Sequence, residues 1–252
     1  MMSANLEVRG SINHMDSLLS KLGLYDILGY LIPGFLGIYS AKVLYQDIFN
    51  FKFPLNLSDG FVGSVIFLVI SYFVGIILHE VSQIVQERFM KPIWGGFPSE
   101  RFLLIEDPLC SKKEKESYYQ MAATVFNIDM SSVDKVKSQL VFDRCRIALQ
   151  IAGKDERSQL FNTYYGMFRN FTTGTLVCSV VHIIFSGIYL FNLLVYSVKI
   201  TNDISFFLTG VLFIVSTIIL LRRTKRFGET YVKYVFRGFY DYNRQQSLDV
   251  KN

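Results

Sequence analysis

Cys178, His182 and Ser186 recur at every fourth position, on one face of whatever helix carries them. An imidazole between a thiol and a hydroxyl on one helix face suits either lining a pore or carrying a proton. The surrounding stretch, Thr175 to Val198, is otherwise apolar, and a histidine inside a bilayer is a functional hypothesis by default. The bland reading is a neutral imidazole hydrogen-bonded to a neighbouring helix. With no carboxylate at comparable depth, that reading is preferred. A second polar set, Gly60, Ser64, Ser71 and Gly75, lines a face of the stretch Phe61 to Leu78. Thr209 and Ser216 share a face of Ile204 to Leu221. Small and hydroxyl residues at helical spacing let backbones approach and hydrogen-bond where water is absent. These faces are expected to pack helices.

Signatures of catalysis or metal binding do not follow. Cys110, Cys145 and Cys178 have no paired spacing, and His79-Glu80 lacks the second histidine of a zinc-protease helix. Neither a phosphate-binding glycine loop nor a nucleophile elbow is present. Arg169-Asn170 has no histidine at the distance an Arg-x(4–6)-His ribonuclease motif needs. The expectation is a protein that is not an enzyme, with no cofactor and no metal.

The elements that must position those polar faces are four long apolar stretches. The chain has 252 residues, 51% hydrophobic and only 19% charged, against about 25% charged in soluble domains. The stretches run from Leu24 to Leu44, Phe61 to Leu78, Thr175 to Val198 and Ile204 to Leu221. Each is close to the roughly 17–25 residues a helix needs to cross a bilayer. The first carries Asp26 and Lys42 near its ends, and Pro33-Gly34 is expected to bend it. The residues ahead of Leu24 do not read as a cleaved signal peptide.

Charge sets the orientation. Arg9, Lys21, thirteen Lys and Arg in residues 87–171 and eight in 222–252 fall on one side, with Lys42, Lys52 and Lys199 on the other. The positive-inside rule then places both termini and the long central segment in the cytoplasm, with the spans in an inner membrane. Arg222, Arg223, Lys225 and Arg226 follow the last span directly, where lipid phosphates are the nearest anions. The central segment has thirteen basic and eleven acidic residues and no basic stripe, so a nucleic-acid partner is not expected.

The expected fold is all-α: a four-helix integral membrane protein with a helical cytoplasmic insertion between spans two and three. Its parts are a cytoplasmic segment 1–23, a hairpin 24–85, a helical domain 86–172, a second hairpin 173–221 and a basic, aromatic, amphipathic tail 222–252. In the insertion, Ser111 to Glu114 reads as a capping box opening a helix to about Asn127. Ser131 or Ser132 is expected to cap a helix ending at Gly153, with Val133, Val136, Leu140, Ile147 and Ile151 facing the core. Asp155 caps a third helix, lined by Leu160, Phe161, Tyr164, Phe168 and Phe171. Trp94 is placed at headgroup level. The tail lies on the membrane or docks on the domain.

Three stretches, Tyr25 to Gly34 (YDILGYLIPG), Arg169-Asn170-Phe171 and Arg226 to Tyr240, resemble those of small four-span bacterial proteins with a cytoplasmic helical insert. Such proteins accompany antiviral defence systems. The resemblance implies a membrane effector or accessory protein answering a cytoplasmic signal, and it carries over no functional residue. The expected function is therefore a non-enzymatic effector whose assembled helices perturb the membrane barrier. One alternative is an anchor or scaffold for a soluble cytoplasmic partner, and a second is an oligomeric channel or small transporter. Expected partners are the lipid bilayer, a soluble cytoplasmic protein and further copies of the chain, with a Gly75 or His182 face at the contact between copies.

Overall fold

A computed structural model describes residues 27–43, 60–196 and 203–249 of the chain. All elements among the described residues are helices or turns. In order they are a wide π-turn at Ile27–Leu31 leading into α1 (Ile32–Val43), α2 (Gly60–Val85) with a second π-turn at Gln86–Met90, and the short helices α3 (Lys91–Trp94) and α4 (Pro98–Arg101). Then follow α5 (Lys112–Phe126), α6 (Lys135–Ile151), α7 (Glu156–Tyr196) and α8 (Asp203–Asp249).

Three helices are long and apolar enough to cross a membrane, within Val62–Arg101, Glu156–Ile188 and Phe207–Leu248. The first expected span is a shorter apolar helix over Ile27–Val43 among the described residues, and Leu24 to Asp26 and Leu44 lie outside them. The segment 1–23 and the connections 45–59 and 197–202 also lie outside the described residues.

Both wide turns sit just ahead of a proline. Pro33 and Pro92 lack an N–H and would leave a carbonyl unpaired in a regular helix. A π-turn widens the helix directly ahead of each proline. Pro33 thus enters α1 in its first turn, with the wide turn directly ahead of it.

The chain divides into two compact units. The first contains α1, α2 to Ser82, α7 from Asn170 and α8 to Thr217. The second spans residues 83–169 together with Ile218 onward. The tail is thus no separate segment: α8 continues unbroken from Asp203 to Asp249, and its second half supplies core to the second unit. Phe236 and Phe102 stack at 4.8 Å, and Val232, Val235 and Phe239 are buried with them among Val141, Phe142, Cys145 and Leu149. Of the two places expected for the tail, it takes the one on the domain.

Local signals in the second unit were partly legible. Ser111 accepts from the Glu114 N–H while Glu114 accepts from the Ser111 N–H, opening α5. Asn127 closes it in the left-handed region at φ 53°, and Gly153 follows α6 at φ 62°. The cap of α6 is Asp134, not Ser131 or Ser132; its Oδ1 accepts from the Lys137 N–H at 2.7 Å. Trp94 is buried within the chain. The face of α6 that packs inward also differs from expectation. Ser138, Val141, Phe142, Cys145 and Leu149 are buried, while Val136, Leu140, Ile147 and Ile151 stand in solvent. Both stripes have helical spacing; the inward one carries Phe142, which meets the rings of Tyr231 and Phe236. Leu160 is likewise exposed, whereas Phe161 and Phe168 stack on Tyr234 and Phe227 at 4.7 and 4.9 Å.

Candidate functional site

The polar residues of the first unit converge on α1. Pro33 has no N–H to give the carbonyl of Gly29 four residues back. Asn170 of α7, fully buried, donates to that carbonyl from Nδ2 at 2.9 Å. Its second Nδ2 hydrogen points at His79 Nδ1, 3.1 Å away, and its Oδ1 accepts from the Ser82 hydroxyl at 2.7 Å. Because an amide nitrogen only donates, His79 Nδ1 accepts, which assigns the ring proton to Nε2. One asparagine thereby ties α7 to α2 and to the turn before α1.

Beside it the backbones of α1 and α2 nearly touch. A Cβ on Gly34 would lie 1.7 Å from Ser71 O, and one on Gly75 would lie 2.1 Å from Tyr30 O. Only glycine permits that approach. Ser71 is buried here, with no hydrogen-bond partner for its Oγ among the described residues. Ser64 is exposed, two turns away, and Gly60 begins α2. Of the four small residues on that face, the structure thus brings Ser71 and Gly75 together against α1 and the turn before it. Their neighbour is a helix of the same chain, so the Gly75 face is already occupied without a second copy.

A further polar layer runs along α7. The Ser40 hydroxyl lies 2.9 Å from Cys178 Sγ, and Cys178 also donates to Leu36 O at 3.4 Å. Ser179 and Thr175 meet Thr217 of α8 at 3.4 and 3.0 Å. His182 is 0% exposed, its Nδ1 2.8 Å from the Cys178 carbonyl, which can only accept. Its ring stacks on Tyr39 at 6.0 Å and meets Phe213 at 5.3 Å, and a Cβ on Gly210 would lie 3.1 Å from its Cβ. Ser186, one turn on, is half-buried and joins none of these contacts. The imidazole is therefore packed inside one chain, not on a face offered to a pore or a second copy.

The second unit holds its own buried ions. Lys115, 2% exposed, donates Nζ to the carbonyls of Leu104, Ile105 and Asp107. Asp107 in turn takes two bonds from Arg101, at 2.9 and 2.6 Å, and one from the Leu109 N–H. Together these pin the loop between α4 and α5. The thiol of Cys110 is pushed up to about 11 by burial and the neighbouring Glu114, which disfavours the thiolate. A pocket of about 350 Å³ is lined by Phe97, Glu100, Gln139, Phe142, Tyr165 and Tyr231 among others. Its carboxylate, Glu100, is occupied by Lys91 at 2.6 Å and by the Phe97 N–H. Among the described residues no three His, Cys, Asp or Glu side chains gather as a metal site.

On α8, Arg222, Arg223 and Arg226 are exposed, while Lys225 is half-buried, 3.9 Å from Glu229. Burial raises the Glu229 carboxyl above its ordinary range. Three guanidinium groups are thus presented to solvent directly after the apolar half of the helix. The sequence missed Asn170, Ser82 and His79 as a group. The available signal was Pro33, whose missing N–H requires a donor from elsewhere.

No protein family matches this chain, and neither the curated proteins nor the solved structures give a match.

Proposed function

We propose that the protein is a four-span inner-membrane scaffold that holds a helical domain at the cytoplasmic face, where a soluble protein partner binds. Both termini and residues 87–171 lie in the cytoplasm, and the first span is the one built around Ile27–Val43. The observation that carries this reading is the packing of His182, Cys178, Ser71 and Gly75 among helices of one chain. With His182 and Cys178 buried and bonded inside one chain, the spans' histidine and thiol are not available to line a path for ions. Arg222, Arg223 and Arg226 suit lipid phosphates beneath the fourth span.

A second reading is a non-enzymatic effector that assembles and perturbs the barrier, in the antiviral setting the resemblance implies. It is favoured by the solvent-exposed aliphatic strip on α6, through which copies could gather.

Reconstitution separates the two readings. Vesicles of purified full chain loaded with a small dye should retain it as empty vesicles do. Leakage that rises steeply with protein density would overturn the scaffold and install the effector. Topology has its own test: Ser117→Cys in intact cells should resist an impermeant maleimide added outside, and prompt labelling would overturn the cytoplasmic placement.

A further inference from the structure

Val136, Leu140, Ile147 and Ile151 are 75%, 43%, 46% and 84% exposed. At 3.6 residues per turn they fall within an arc of about 60° and form a strip about 22 Å long. The buried stripe of Ser138, Phe142, Cys145 and Leu149 lies on the opposite side, so α6 has two apolar faces and one core. An aliphatic strip left in solvent, here two pairs of residues two turns apart, marks an interaction surface.

The charges beside the strip indicate what covers it. Asp143 and Arg144 sit at its midpoint, about 50° to either side of its centre line. When two such helices pair in parallel and in register, the left flank of one meets the right flank of the other. Asp143 of each copy then faces Arg144 of the other, twice over. In an antiparallel pair like flanks meet, and Asp143 faces Asp143 while Arg144 faces Arg144. Arg144 is exposed, and Asp143 contacts Gln139 at 3.0 Å and Arg146 at 3.8 Å on the rim of the strip. A carboxylate has about four acceptor positions, so Asp143 keeps capacity for a further donor.

We propose that α6 is a self-association surface. Two copies of this chain pair along it in parallel, with Val136, Leu140, Ile147 and Ile151 each against its equivalent and two Asp143–Arg144 ion pairs on the flanks. The pairing goes beyond the scaffold reading and is compatible with its failure, because it concerns a surface of the helical domain alone. An isologous contact of this kind closes on itself as a dimer.

Cysteine crosslinking of the full chain in native membranes tests it. The native Cys110, Cys145 and Cys178 are all buried, which keeps the wild-type background low. Leu140→Cys and Ile147→Cys, each alone, should give a disulfide-linked dimer under mild oxidation. Gln120→Cys, exposed on α5, should not. An antiparallel pair sets position 140 level with 147, so a crosslink formed only on mixing the two variants would overturn the parallel form. Monomer at both positions, with helicity and wild-type melting retained, would overturn the surface altogether. Adding Asp143→Arg to Leu140→Cys should lower the crosslink severalfold, and adding Arg144→Asp as well should restore it. Failure of that restoration would remove the charge argument and the proposal with it.

Discussion

The two units solve the same problem with different residues. The first brings helices together through Gly34, Gly75, Ser71 and Asn170, so that backbones touch and buried amides and hydroxyls bond across. The second uses rings: Phe102 on Phe236, Phe161 on Tyr234, Phe168 on Phe227 and Phe126 on Phe239. α8 serves both, meeting α7 through Thr217 in its first half and presenting Phe227, Phe236 and Phe239 in its second. Water rewards the removal of large apolar area, and lipid does not, since its tails are as apolar as the side chains. In lipid, close fit and hydrogen bonds are what remain. The contrast is the one expected if the proposal is right and the first unit lies in a bilayer while the second lies in water.

The ring-packed unit should break most sharply on loss of area. Phe236→Ala removes a ring that stacks on Phe102 and contacts Tyr118 and Phe142. A fully buried phenylalanine of this kind costs about 3–5 kcal/mol when truncated. Melting of the chain in mild detergent, followed by aromatic circular dichroism, should show the second unit unfolding first. If the loss proved below about 1 kcal/mol, the tail would not be core.

The glycine-packed unit should respond in the opposite way, to added rather than removed atoms. Gly75→Ala places a methyl against the Tyr30 carbonyl, where backbone and not a flexible side chain must yield. The expected cost is near the top of the usual overpacking range, about 3 kcal/mol. α1 is displaced, so Cys178, shielded by Ser40, becomes reactive to maleimide. Unchanged labelling of Cys178 would show that the close approach is not needed.

Asn170→Leu tests the hydrogen bonds separately from the fit. It strands the Gly29 carbonyl and His79 Nδ1 while roughly keeping volume. Hydrogen bonds between helices in a bilayer are each worth up to about 1–2 kcal/mol, so a loss of that size is expected. Asn170→Ser, which keeps a donor, should recover part of it. A neutral effect of both would mean that α1 is held by shape alone.

These residues also show what was legible beforehand. Apolar length reveals helices, and the Ser111–Glu114 box and Gly153 reveal boundaries, because each signal is local in sequence. Small residues at Ser71 and Gly75 reveal a close contact but not with whom, since periodicity names a face and not its neighbour. His182 shows the same limit: its position on α7 was readable, whereas Tyr39 and Phe213, which enclose it, come from distant segments. On α6 the difficulty is sharper. Two apolar stripes share one helix, and only the rings of Tyr231 and Phe236, some ninety residues away, decide which of them is buried.

The smallest expected effect belongs to the rim of the second unit, where electrostatics meets water. Arg237 bonds Glu114 at 2.9 Å, and with the Ser111 cap it holds the Glu114 carboxyl down to about 2, from an ordinary value of 4.5. A carboxyl whose pKa is depressed on folding stabilises the fold above its unfolded value and loses that contribution as pH falls through the folded one. The contribution is thus complete above about pH 4.5 and disappears between there and about pH 2. Both side chains are well exposed, at 39% for Glu114 and 49% for Arg237, so solvent screening leaves less than about 1 kcal/mol. Glu114→Gln keeps the capping geometry at position N3 and removes the charge. Its melting temperature should fall slightly at pH 7 and match wild type near pH 2. A gap between the two proteins that stayed constant from pH 7 to pH 2 would show that the Glu114 charge contributes nothing, and that α5 and α8 are joined by the stacked rings alone.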